Sequence, residues 1–233
     1  MTTFSLKKVP KLLSKENKLK LIETSCLRWK KKNPHPKCEL YYKTPYQLLV
    51  SVVLSAQTTD KMVNRSMAKV YQQSFDPNIA MRLGEKKIYE MIKSIGLANT
   101  KAKHIFHLSK KIIEEHQGEV PETRKDLEDL PGVGRKTASV ILGEIYHEPT
   151  LAVDTHVFRV AFRLGLHREK TPAKAEQVLL ALIPKKFLPT AHHWFILHGR
   201  YTCKALKPDC AHCILQDLCP SIVRNEDEFR TRQ

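Results

Sequence analysis

Pro131, Gly132 and Gly134 fall together in the segment Leu130-Pro131-Gly132-Val133-Gly134-Arg135-Lys136, and they interrupt a helical pattern that runs almost the whole chain. Apolar residues recur at three- and four-residue steps on both sides, so the segment reads as a tight joint between two helices. Glycine reaches positive φ and leaves no side chain between the backbone and a ligand. The amides that open the second helix then point outward at the positive end of its dipole, an arrangement suited to phosphate. A plain helix–helix turn would explain Gly-x-Gly by itself. The basic pair Arg135-Lys136 that follows, in a strongly cationic chain, favours a nucleic-acid backbone resting on Gly132, Val133, Gly134 and Arg135.

The charge is unambiguous: 40 Lys+Arg against 24 Asp+Glu, a net +16 over 233 residues. A protein this basic meets a polyanion, with nucleic acid the first candidate and an anionic membrane surface the second. Hydrophobic residues make up 42% of the chain, enough for a packed core. The longest apolar run, Leu48 to Leu54, is far short of a membrane span. Met1 to Lys20 has lysines but neither a continuous apolar segment nor a small-residue cleavage pattern, and it has no arginine. It reads as neither a secretory leader nor a mitochondrial transit peptide, so a cytoplasmic protein is expected, nucleoid-associated if bacterial. Thiols there stay reduced, and the six cysteines suggest metal binding or free thiols rather than disulfides.

The periodicity predicts an all-α protein. Helices are expected over 18–32, from Thr44-Pro45, from about Thr59, from about Glu85 and from Asn99-Thr100. Thr123 should cap a short helix before the joint, and Ala138, Ile141 and Ile145 should line the one after it. Further helices should start at Asp154 or Thr155, at Thr171-Pro172 and near His192. Leu48 to Leu54, apolar on all sides, belongs at the centre of the fold. The stretch 33–45 and the break at Glu148-Pro149 are expected domain crossings, which gives a domain over 38–148, with its paired helices at about 123–143, and a second built from 1–37 and 149–233.

Two acid–base residues stand out. Lys136 lies in the first turn behind the glycines, where the helix dipole disfavours its charge and should lower its pKa, as a nucleophilic amine needs. The bland alternative is a lysine that contacts phosphate or solvent. Asp154, eighteen residues on, suits a helix N-cap, a role compatible with catalysis. Cys203, Cys210, Cys213 and Cys219 have the spacing Cys-x6-Cys-x2-Cys-x5-Cys. With one close pair rather than two, the pattern fits a [4Fe-4S] cluster better than zinc. Lys204 and Lys207 lie in the first loop of this set, where a metal would shape a basic surface. Cys26 and Cys38 stand apart and read as structural thiols.

The segments 130–138 and Val153-Asp154-Thr155-His156-Val157, with the cysteine spacing and Leu54-Ser55-Ala56-Gln57-Thr58-Thr59-Asp60, resemble the endonuclease III family. That family is the iron-sulfur branch of the helix-hairpin-helix DNA glycosylases, and the resemblance covers roughly 20–222. It implies a two-lobed fold: a six-helix barrel lobe, then a cluster lobe holding its loop at 203–219, with Lys136 and Asp154 facing each other across a DNA groove.

The same resemblance implies removal of oxidised pyrimidines from duplex DNA through a lysine Schiff base, with strand cleavage 3′ to the abasic site by β-elimination. Lys136 would be the nucleophile and Asp154 its assistant. Gln57 and Leu97 would fill the space left by a flipped nucleotide, and His156 would lie near it. The partner is double-stranded DNA with damaged pyrimidines or abasic sites, bound by a monomer with no membrane contact. An adenine-removing relative of the same fold lacks a lysine at the position of Lys136 and normally carries a further C-terminal domain, for which 233 residues are too few. A non-catalytic DNA-binding scaffold would form no covalent adduct. The lysine-rich start departs from the family pattern and is expected to be a flexible basic arm.

Overall fold

The computed structural model describes residues 5–6 and 13–223. The chain divides into two compact units. One is Cys38–Thr150; the other joins the chain up to Lys37 to the chain from Leu151 onward.

The first unit is built around α2 (Pro45–Leu54). Its cap is local chemistry: Thr44 accepts the Gln47 N–H and Pro45 occupies the first turn. Leu48, Leu49, Val50 and Leu54 are completely buried, as a helix apolar on all sides must be. The polar groups of α2 are satisfied inside: Tyr46 OH pairs with Ser109 Oγ at 2.6 Å, and Ser51 Oγ with Tyr71 OH at 2.8 Å. Around it pack α3 (Asp60–Gln72), α4 (Pro77–Ile92) and α5 (Ala98–His116), then α6 (Arg124–Glu128) and α7 (Arg135–Glu144). The sequence placed a helix from Glu85. The structure adds a first half to it, capped by Asp76 with Pro77 behind, and bends the two halves at Gly84, whose φ is +72°.

The second unit holds α1 (Lys15–Lys32), α8 (Thr155–Arg163), α9 (Pro172–Leu182) and α10 (Leu188–Tyr201). Ile22, Cys26 and Trp29 of α1 pack with Val157 and Val160 of α8, Leu179 of α9 and Phe195 of α10. Trp29 meets Phe195 edge-on at 4.8 Å. Arg28 forks onto Asp217 and also donates to Ile214 O at 2.7 Å, which ties α1 to the chain after α10. The protein is all-α, apart from a two-residue antiparallel pairing of Ser5–Leu6 (β1) with Ile222–Val223 (β2). Two residues are too few for a strand's alternation to show in the sequence.

Among the described residues, no helix is long and apolar enough to cross a membrane.

Candidate functional site

The glycine-rich joint is the turn between α6 and α7. Gly132 takes φ +81°, and the Val133 N–H donates to Leu130 O at 3.0 Å, closing the turn. Val133 turns its side chain into the core, so its own amide and side chain are both committed. Gly134 is the N-cap of α7 and supplies no capping side chain. Gly134 therefore offers no side-chain acceptor to the first amides of α7. A Cβ built on Gly134 would meet nothing within 4 Å, which leaves an open backbone surface. Arg135 and Lys136 are exposed in the first turn behind it. Arg124 steadies the pair of helices from one side, donating to Ser139 Oγ at 3.0 Å and lying 3.3 Å from Glu128.

Gln57 and Leu97 share an unusual feature. Both are non-glycine residues at positive φ, 54° and 61°, and both are exposed, Leu97 to 57%. A left-handed backbone on such side chains is uncommon and strained, and strain of this kind clusters at functional sites. Sequence periodicity alone would place Leu97 inside.

In the other unit, Asp154 is the N-cap of α8. Its Oδ1 accepts from the N–H groups of His156 and Val157, both at 2.8 Å. The ring of His156 is occupied by the protein: Nδ1 lies 3.2 Å from Arg159, and a Cβ on Gly199 would come within 2.9 Å of its Cβ. Burial, with help from nearby arginines, lowers the His156 pKa. His156 thus helps join α8 to α10.

The four C-terminal cysteines line one small cavity of about 20 Å³. None of the six cysteines forms a disulfide. Burial pushes the Cys213 thiol up to about 11, and raises those of Cys210 and Cys219, with the neighbouring sulfurs adding to the effect. Four crowded thiols resist ionising together unless a cation shares their charge. N–H donors already aim at the sulfurs: Leu215 N at 3.4 Å from Cys213, Arg163 at 3.3 Å from Cys203, and the amides of Ser221 and Ile222 toward Cys219. This is the surrounding that supports metal-bound thiolates. By contrast, Cys26 is buried and its thiol is pushed up to about 12.

The structure also shows residues that the sequence did not mark. Arg163 donates to the carbonyls of Cys203, Lys204 and Ala205, at 3.4, 2.6 and 3.0 Å. Arg159 adds Cys203 O at 3.1 Å and Gly199 O at 2.9 Å. Their spacing of four residues puts both on one face of α8, but nothing local in the sequence marks their acceptors. These clamps hold a loop on which Lys204 and Lys207 are exposed, Lys207 at φ 49°.

Residues 50–185 match the HhH-GPD superfamily of base excision DNA repair proteins. The chain is 48% identical to endonuclease III of Haemophilus influenzae over 203 residues, which is 87% of this chain and 96% of that relative. The chain belongs to the endonuclease III family. Endonuclease III of Escherichia coli K12 is 47% identical over the same share. The fold matches a solved non-covalent endonuclease III–DNA complex with a TM-score of 0.83 at 38% identity, covering 95% of this chain and all of that one. A trapped endonuclease III–DNA covalent intermediate matches equally well. As an endonuclease III, the protein is a bifunctional base-excision repair enzyme, a DNA glycosylase and abasic-site lyase.

Proposed function

We propose that the enzyme removes oxidised pyrimidines from duplex DNA with Lys136 as nucleophile, Asp154 as its assisting carboxylate and a [4Fe-4S] cluster held by Cys203, Cys210, Cys213 and Cys219. The observation that carries the reading is the exposed Lys136 in the first turn of α7, beside the open backbone surface at Gly134 where a phosphate can sit.

The chemistry balances as follows. The neutral amine attacks C1′ of the sugar, and the bond from C1′ to the base breaks. The base leaves with the electron pair and takes up a proton. Ring opening gives an iminium, which acidifies the C2′ hydrogen. Loss of that proton expels the 3′ phosphate oxygen and cuts the strand, and hydrolysis frees the lysine. Oδ1 of Asp154 is spent on its helix cap, and Asp154 Oδ2 accepts no bond from the described residues. One oxygen thus remains to take the amine's proton or to stabilise positive charge on the sugar.

Removing a base from the stack costs a few kcal/mol and leaves a gap. Gln57 would bond the orphaned partner base, and Leu97 would wedge between base steps. Gly132, Gly134 and Arg135 contact the phosphate backbone, as do Lys204 and Lys207 from the cysteine loop, while His156 serves the fold of α8. The protein acts as a monomer.

The cysteine spacing, with one close pair rather than two, supports a cluster over a single zinc ion. When bound, the cluster would supply a rigid, multiply charged anchor for the basic loop.

Borohydride trapping tests the central claim. Wild-type protein should form a covalent adduct on duplex DNA containing an oxidised pyrimidine, and Lys136→Gln should form none while still binding the lesion. Adduct formation by Lys136→Gln at the wild-type rate would place the nucleophile elsewhere.

A further inference from the structure

Lys101 is a basic residue that cannot serve DNA directly. Among the described residues it is the single buried lysine or arginine, at 3% exposure. Its ammonium donates to Leu54 O at 2.9 Å, Ala56 O at 2.6 Å and Thr58 Oγ1 at 3.0 Å. All three acceptors are neutral, so no carboxylate explains why a charge sits here.

The acceptors explain it. The last-turn carbonyls of α2 are each accounted for: Ser51 O takes the Ser55 N–H, Val52 O the Ser55 hydroxyl, and Val53 O the Ala56 N–H. Leu54 O is the one left over, and Lys101 takes it. A cation at a helix C-terminus also meets the negative end of the dipole. The same ammonium holds Ala56 O and Thr58 Oγ1, the two neighbours of Gln57. Gln57 is thereby fixed from both sides in its left-handed conformation.

The backbone of Lys101, rather than its ammonium, meets the second strained residue. It stands in the first turn of α5, where its own N–H bonds Leu97 O at 3.0 Å. The two loops touch as well: a Cβ on Gly96 would lie 3.7 Å from Gln57 O and 3.9 Å from Thr58 Oγ1.

We propose that Lys101 is a positioning residue that locks the Gln57 and Leu97 loops into one preformed, two-pronged unit for entry into the DNA stack. The inference rests on the reading above that Gln57 and Leu97 enter DNA. Holding both prongs in their strained conformations before binding removes an ordering cost at the moment of base extrusion.

The test is a ratio: base release from lesion-containing duplex over cleavage of a preformed abasic site in single-stranded DNA. The second reaction has no stack to enter. Lys101→Met keeps the length of the side chain and removes its charge and donors. Its ratio should fall on the order of 10²-fold, the scale of a small misplacement at a reacting centre. A merely destabilised protein would lose both activities by the same factor, and that result, or an unchanged ratio, overturns the proposal. Gln57→Ala and Leu97→Ala are measured alongside. If neither lowers the ratio, the reading of those two residues fails; if they lower it and Lys101→Met does not, only the role of Lys101 fails. Should Lys101→Met melt too low to assay, Thr58→Val removes one acceptor without entering the core. It should give a smaller fall of the same kind, and a wild-type ratio in that variant overturns the proposal.

Discussion

The ring of His104 lies directly over Gly132: a Cβ at Gly132 would come within 2.6 Å of His104 Nδ1 and 2.9 Å of its Cβ. The turn between α6 and α7 is therefore seated against α5 with no room for a side chain, at a φ of +81° that only glycine adopts freely. Gly134, two residues on, has ordinary backbone and open space around it.

Substitutions at these two glycines test different properties. Gly132→Ala should destabilise the protein, by about 1–2 kcal/mol for the left-handed backbone plus the clash, and lower Tm by several degrees in calorimetry. Adding His104→Ala should recover the clash and leave the backbone cost. Gly134→Ala meets no clash and should cost only the poorer helix cap, under about 1 kcal/mol, or about 2–3 °C in Tm. It should nevertheless weaken duplex affinity for all sequences alike, because the hairpin meets backbone and reads no bases. Wild-type affinity in Gly134→Ala, by fluorescence anisotropy at fixed salt, would remove DNA from this turn.

What was readable in the sequence is what is decided locally. Thr44, Thr59, Thr123, Asp154 and Thr171 all cap the helices expected of them, because a cap needs only a side-chain oxygen and the next few amides. The first half of α4 carried the same signal in Asp76-Pro77, but only one turn of apolar residues before Gly84 supports it. Lys101 and Arg163 were not legible. A lysine among polar helix positions reads as surface, and Lys101 is buried by a loop more than forty residues earlier in the chain. Arg163 meets its acceptors forty residues later. Partners that distant leave no local mark.

Asp154 should show its two roles in two variants. Asp154→Asn keeps an oxygen for the His156 and Val157 amides and should cost little stability. Asp154→Ala should lose about 1 kcal/mol and some 2–4 °C in Tm. Both should slow base release by orders of magnitude while sparing much of the cleavage at a preformed abasic site, where the glycosidic bond is already gone. Full base release by Asp154→Asn would reduce the residue to a cap.

Arg163 should govern retention of the cluster. The purified wild type should be yellow-brown, with iron and sulfide near four atoms each per chain. Arg163→Met deletes the donor to Cys203 Sγ and three carbonyl clamps at once. Iron per chain should drop, and the visible absorbance should bleach faster in air. Arg163→Lys should not restore either, since an ammonium cannot reproduce the planar fork that reaches several acceptors. Wild-type iron content in Arg163→Met would show that the cysteines hold the group without the clamp.

His167 should make stability fall in acid. It is buried, with Nδ1 accepting the Glu169 N–H at 3.2 Å, so its proton sits on Nε2 and donates to Phe158 O at 3.0 Å. Protonation of Nδ1 would cancel the first bond and bury a charge. Burial accordingly lowers the folded-state pKa below the ordinary histidine value of about 6.5. Between those two values the unfolded chain binds the extra proton, so stability is full above about pH 6.5 and declines as pH falls toward the lowered value. His156 and His198 are shifted the same way and add to the decline. His167→Gln cannot gain a proton. Its Tm should lie below that of wild type at pH 7.5, and the gap should narrow by pH 5. A gap that stays constant across that range in calorimetric melts would mean that folding does not lower the His167 pKa.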